Sequence, residues 1–242
     1  MQTNRYELSL EKNDFYEVMP SQEDGMFIYR RLYAQDDDKI EIIKLDTAFQ
    51  VNWKGYLSVD KTLVLMAKRA IDGKFFLLLR SPDARKNNMH LYAVSQETGE
   101  YIKYEIKNFI PFAPVEFQIT YNGALIGGYY NQVPVVIYYS FETLRSKILP
   151  GLLNESGDLT QIKTYPDGTF DVLISAYNYK KQQTVFIKNY DENGDIRSNF
   201  AMEPEDNKHL IFARAIKTTD DVQLIAGVYG GRNSEYSRGL FL

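Results

Sequence analysis

A turn-like pentapeptide recurs five times along this chain at nearly even spacing, and no other feature restricts the fold as strongly. The copies read EDGMF (Glu23 to Phe27), IDGKF (Ile71 to Phe75), YNGAL (Tyr121 to Leu125), PDGTF (Pro166 to Phe170) and TDDVQ (Thr219 to Gln223). Aligned on Gly25, Gly73, Gly123, Gly168 and Asp221, they are separated by about 48, 50, 45 and 53 residues, a mean of about 49. A period of that size marks a supersecondary unit that buries its apolar face by stacking on its neighbours.

Each copy has the same internal order. Before the turn stands a short alternating segment such as VEFQIT (Val115 to Thr120), the pattern of a strand with one buried face. The Asp-Gly or Asn-Gly pair then predicts a hairpin turn with positive backbone φ. A more continuously apolar strand follows: FIYRRLY (27–33), FFLLLR (75–80), ALIGGYY (124–130), FDVLISAY (170–177) and VQLIAGVY (222–229). Continuous apolar character predicts burial on both faces. After a variable polar loop comes a third strand: KIEIIKL (39–45), MHLYAV (89–94), VPVVIYY (133–139), TVFIKNY (184–190) and SRGLFL (237–242). A more polar fourth strand closes four copies: FQVNW (49–53), YIKYEI (101–106), LRSKIL (144–149) and IRSNF (196–200). Its Lys and Arg content suits an exposed outer edge.

Four strands per unit at this period predict an all-β chain, a β-propeller of five four-stranded blades in a single domain over 1–242. The fifth copy lacks a fourth strand, whereas RYELSLEKN (Arg5 to Asn13) precedes the first copy as a spare fourth-strand segment. Ring closure is therefore expected, with Tyr6–Leu10 pairing with residues 237–242. The alternative is that these are five blades of a larger propeller. The pieces ALIGGYYN, QLIAGVYGG and YDENGDIRSNF resemble the loosely conserved β-propeller repeats of bacterial surface and secreted proteins. No Trp-Asp dipeptide, Gly-His pair or one-Trp-per-blade pattern ties them to a named family.

Composition narrows the function. The 242 residues are 44% apolar and 25% charged, ordinary globular values. Tyr (19) and Phe (14) far outnumber the single Trp, which suits half-buried pleated surfaces. A net charge of -4 argues against a nucleic-acid footprint, which needs a concentrated basic face. The absence of Cys removes disulfides, thiolate catalysis and zinc-thiolate sites, and two His make a histidine-rich metal site unpromising. No cofactor or metal is expected. Apolar runs such as Phe75 to Leu79 are far too short for a membrane span. The start, MQTNRYELSL, lacks the apolar stretch of a signal peptide, so the chain is cytoplasmic or has lost a leader. The resemblance to surface and secreted repeats favours the second.

Second strands should end on the face that carries the variable loops. Tyr33, Tyr129 or Tyr130, Tyr177 and Tyr229 stand there in four copies, and Arg80 in the remaining one. They read either as aromatic platforms for a ligand or as wedges between neighbouring blades. The loops beside them add Arg85, Tyr179 and Arg232 as candidate contacts. DENGD (Asp191 to Asp195) resembles the start of a calcium loop, but its glycine is misplaced and an ordinary hairpin turn explains it better. Five-bladed propellers also include glycosidases with three carboxylates at the inner-strand entrances. Asp14, Asp60 and Glu116 lie near the starts of three first strands but share no register with their turns.

The leading expectation is a monomeric, non-catalytic propeller that recognises a protein partner through one loop face. A carbohydrate-binding propeller using the periodic tyrosines is second, and a glycoside hydrolase third.

Overall fold

Each segment read as a second or third strand forms one in the structure, a computed structural model that describes residues 4–9, 15–21, 24–83, 88–107, 110–152, 156–205, 208–217, 223–231 and 236–242. The strands assemble into five antiparallel sheets, and no helix occurs among the described residues. The chain divides into two compact units, Met1–Lys107 and Asn108–Leu242.

The first unit holds two four-stranded sheets. One runs β1 (Glu17–Pro20), β2 (Met26–Leu32), β3 (Asp38–Leu45), β4 (Val51–Val59) in spatial order. The other runs β5 (Val64–Ile71), β6 (Lys74–Arg80), β7 (Met89–Ser95), β8 (Tyr101–Ile106). The second unit holds three. The third sheet comprises β9 (Ala113–Thr120), β10 (Gly123–Tyr130), β11 (Val133–Ser140) and the short β12 (Ser146–Ile148). The fourth comprises β13 (Gly157–Thr164), β14 (Phe170–Tyr177), β15 (Gln183–Tyr190) and β16 (Ile196–Met202). The fifth has three strands, β17 (Lys208–Lys217), β18 (Gln223–Gly231) and β19 (Ser237–Phe241).

Turn chemistry sets the hairpins, with one departure from expectation among the described copies; Asp221 of the fifth lies outside the described residues. Asp72 (φ 49°) and Gly73 (φ 67°) form the two-residue β5–β6 turn, whose left-handed backbone matches strand twist. At the Asn122-Gly123 copy the glycine has no positive φ and is already the first residue of β10. Its bareness serves packing instead, since a Cβ there would lie 2.2 Å from the carbonyl oxygen of Tyr139 on β11.

The second strands β6, β10 and β14 are buried on both faces, as their apolar runs predict, while β2 and β18 are half-buried over much of their length. On β14, Val172 and Ile174 pack with Leu125, Val136 and Tyr138 of the third sheet, while Leu173 packs with Leu210 and Ala213 of the fifth. Gly127 on β10 permits the close approach of the third and fourth sheets: a Cβ there would lie 2.5 Å from the Leu159 side chain. In the first unit, Phe27, Tyr29 and Ile42 of one sheet share a core with Phe75, Leu77 and Tyr92 of the other. The fourth strands β4, β8 and β16 lie at sheet edges, and β16 is exposed along nearly its whole length.

The N-terminal segment behaves differently from the expected outer strand. Residues 4–9 carry no strand, and Tyr6 and Leu8 pack against Ile28, Ile43 and Leu45 of the first sheet. Two apolar side chains that find an apolar face gain burial without a hydrogen-bonded ladder. Leu10, the end of the anticipated strand, lies outside the described residues.

Candidate functional site

The loop ends of the second strands carry the candidate site, and each unit has a cleft there. In the first unit Tyr33 follows β2 directly, with its ring 82% exposed and the Arg31 guanidinium 5.7 Å from its centroid. Arg31 is anchored by the buried Asp38 at 2.7 Å. Tyr33 borders a cleft of about 280 Å³ that Phe15, Glu17 and Tyr29 also line. Hydrogen bonds from Lys68 and Tyr29 hold the Glu17 carboxyl below the usual carboxylate range. Burial, reinforced by the bond to Glu17, pushes the Tyr29 phenol well above its ordinary value, so it stays a neutral donor.

In the second unit an open cleft of about 680 Å³ lies between the ends of the third and fourth sheets. Tyr129, Tyr177, Gln132, Gln183 and Asp158 line it. Tyr129 is fixed there, because its hydroxyl accepts the Leu159 N–H at 2.9 Å. Tyr177 is 67% exposed and meets the His209 ring edge-on at 6.1 Å. His209 Nδ1 in turn accepts the Gln183 N–H at 2.8 Å, which fixes that ring's orientation. Tyr179, 84% exposed, stands at the following turn with Lys180 Nζ 5.3 Å from its ring centroid.

The periodic tyrosines thus divide into two groups. Tyr33, Tyr177 and Tyr179 present their rings to solvent, whereas Tyr129 bonds to the next sheet. Tyr229 joins the core between the fourth and fifth sheets and leans on Gly239, where a Cβ would lie 2.8 Å from its ring. Tyr130 ends β10 half-buried. Arg80 is half-buried, its Nε donating to the Ser81 carbonyl at 3.0 Å. Arg85 and Arg232 lie outside the described residues, as does Asp14.

Of the other two carboxylates considered for glycoside hydrolysis, Asp60 caps the turn before β5, accepting the Thr62 N–H at 2.7 Å. Glu116 lies on β9 and accepts the Gln118 amide at 2.7 Å. Asp191 similarly organises the DENGD turn, accepting the N–H groups of Asn193 and Asp195. Among the described residues no group of three or more His, Asp or Glu could hold a metal ion. In the second cleft Ser175 Oγ is engaged by the Leu210 carbonyl and the Gln183 amide, so it forms no nucleophile–base pair with His209.

Gln132 and Gln183 belong to the variable NQ (131–132) and NYKKQQ (178–183) loops, where recognition residues are expected on a repeat scaffold, whereas Asp158, Phe15 and Glu17 carry no sequence signal. The structure adds that Gln132 has a φ of 66°, unusual for a residue with a side chain.

No protein-family model and no curated protein matches the chain. Among solved structures it is similar to a monoclinic crystal form of an ACO/RPE65 chimera, with a TM-score of 0.51 and 7% identity over 94% of this chain and 59% of that one. A Trp-to-Ala variant of Synechocystis apocarotenoid oxygenase gives a TM-score of 0.50 and 6% identity over 90% of this chain and 56% of that one. A structure from a study of two prolyl endopeptidases gives 0.48 and 7%, covering 92% and 32%. The chain spans less than two thirds of each of these. At such identities the first two likenesses concern the fold alone, a propeller-like stacking of antiparallel sheets.

Proposed function

We propose that the five sheets are blades of one β-propeller that acts as a non-catalytic binding scaffold, recognising a protein partner through the loop ends of the second strands. The even spacing of the turn pentapeptides supports the blade reading. Closure of the ring would require residues 6–10, whose Tyr6 and Leu8 side chains pack on the first sheet, to add a strand beside β19, the edge of the fifth sheet. A disulfide engineered between Tyr6→Cys and Leu240→Cys tests that closure: rapid formation under mild oxidation supports it, and failure to form counts against it.

The observation that carries the binding reading is the solvent exposure of Tyr33, Tyr177 and Tyr179 on strand ends and short turns. Tyrosines on rigid elements offer large contact area at low entropic cost and dominate many protein interfaces. Lys180, half-exposed beside Tyr179, adds a charge-assisted donor suited to a carboxylate-bearing surface. Capture of partners on immobilised wild type and on a Tyr177→Ala/Tyr179→Ala variant tests this reading; loss of the same protein from the variant supports it.

A second reading, recognition of a glycan, is favoured by one feature. The Tyr129–Tyr177 cleft combines an aromatic face with the amides of Gln132 and Gln183 and the Asp158 carboxylate. A glycan array on wild type and Tyr177→Ala separates the two.

A further inference from the structure

The only tryptophan of the chain, Trp53, lies on the edge strand β4, opposite Lys44 of β3. It borders an open groove of about 720 Å³ between the first two sheets, with Tyr101 of β8 among the other lining residues. The two aromatic side chains are held in place before any ligand arrives. Trp53 Nε1 donates to the Gln96 carbonyl at 2.8 Å, and the turn residue Gly99 abuts its ring. Tyr101 leans on the buried Tyr92, with ring centroids 5.9 Å apart.

Gly55 is the revealing residue. It stands in the middle of β4 with no positive φ, so its backbone does not require glycine. Close packing does not require it either: a Cβ would meet only the Trp53 ring, at an ordinary 3.8 Å. Glycine inside a strand weakens it, so a β-branched residue would serve the sheet better. What the bare position provides is open space beside the indole.

The rim of the groove is polar. Ser95 and Thr98 contribute hydroxyls, Glu100 a carboxylate, and Lys54 and Lys74 ammonium groups. Lys54 is shared with the buried Glu41 at 2.7 Å. Ser95 Oγ accepts the Thr98 N–H and Thr98 Oγ1 accepts the Glu100 N–H, and neither bond uses the hydroxyl hydrogen. A purely apolar side chain seated here would cover these groups without pairing them, at a penalty. A sugar ring meets both demands, with an apolar C–H face for the indole and a fringe of hydroxyls for the rim.

We propose that the Trp53–Gly55–Tyr101 groove is a binding site for a neutral saccharide, separate from the loop-face tyrosines. Bound sugar lies against the indole in the space that Gly55 leaves, with its hydroxyls bonded to Glu100, Lys74 and the Ser95 and Thr98 hydroxyls.

Because Trp53 is the only indole, its emission reports on this groove alone. The test titrates the intact chain with cello-, malto-, xylo-, manno- and chito-hexaose and follows tryptophan fluorescence. At least one sugar should shift or quench the emission saturably. Gly55→Val and Tyr101→Ala should each weaken that binding by about tenfold or more, a loss of about 1.4 kcal/mol. The unfolding midpoint of Gly55→Val should equal or exceed that of the wild type, which excludes misfolding as the cause. Tyr177→Ala should leave the titration unchanged. The proposal is overturned if no sugar moves the emission, if binding survives Gly55→Val and Tyr101→Ala undiminished, or if Tyr177→Ala abolishes it.

Discussion

Phe27 and Phe75 stand two residues after the turn glycines of successive repeats, and their rings stack with centroids 4.6 Å apart and planes within 10°. Both are fully buried, as are Leu125 and Phe170 at the same place in the next two copies. In the first four copies the repeat therefore delivers one large apolar side chain per sheet to a buried core; in the fifth, Gln223 stands at that place. Phe75→Ala should lower stability by about 3–5 kcal/mol, while Phe75→Leu should cost clearly less. Urea unfolding of the two variants checks this, and equal losses would contradict the stacked arrangement.

Glu41 is a buried carboxylate on β3 that binds Arg30 at 2.7 Å, Lys54 at 2.7 Å and the Tyr56 hydroxyl at 3.0 Å. Burial pushes its pKa up, but the bonds from Lys54, Arg30 and Tyr56 together outweigh burial and hold it below the usual carboxylate range. A folded-state value below the unfolded one near ~4.3 means that the ionised form stabilises the fold above that pH. That contribution is lost as pH falls through the folded value. Glu41→Gln should lower the unfolding midpoint at pH 7, and its deficit should shrink steadily below about pH 4. A deficit that does not change with pH would contradict the network's role.

The Asn131–Gln132 turn joins β10 to β11 with both residues in the left-handed region, at φ 48° and 66°. Asparagine tolerates that conformation, but glutamine does not adopt it readily. Gln132→Gly should therefore raise stability by about 1 kcal/mol, read as a higher unfolding midpoint. Loss of stability would mean that contacts of the Gln132 side chain outweigh its backbone strain.

Tyr129 and Tyr177 occupy equivalent strand ends but answer to different constraints. Removing the Tyr129 hydroxyl leaves the Leu159 N–H without its acceptor, so Tyr129→Phe should cost about 1 kcal/mol of stability. The Tyr177 hydroxyl makes no hydrogen bond among the described residues, so Tyr177→Phe should change stability by less than about 0.5 kcal/mol. Equal effects on unfolding would erase the distinction between wedge and exposed contact.

The turn pentapeptides and the strands beside them were legible because period-two patterns and Asp-Gly pairs are local. The β5–β6 turn follows the expected backbone, while Gly123 answers to the approach of β11, a contact that no nearby residue announces. Likewise the double burial of β14 follows from its apolar run, but the partners of Val172 and Leu173 come from different sheets. Tyr6 and Leu8 read as part of an outer strand by likeness to Tyr101–Ile106, yet they pack as side chains on Ile28 and Ile43. Of the site, the tyrosines were found because they recur. Gln183, Asp158 and Glu17 occur once each and acquire meaning only when strands distant in sequence bring them to one cleft. Gly55 carried no signal at all, since emptiness beside Trp53 is a property of the fold.

The proposed recognition of a protein partner rests on the exposed tyrosines at the second-strand ends. The most direct measurement compares partner capture by the wild type with capture by a Tyr33→Ala/Tyr177→Ala/Tyr179→Ala variant of matched unfolding midpoint. A protein held by the wild type and reduced by about tenfold or more on the variant is the predicted result. Retention of every captured protein at undiminished affinity would contradict the claim.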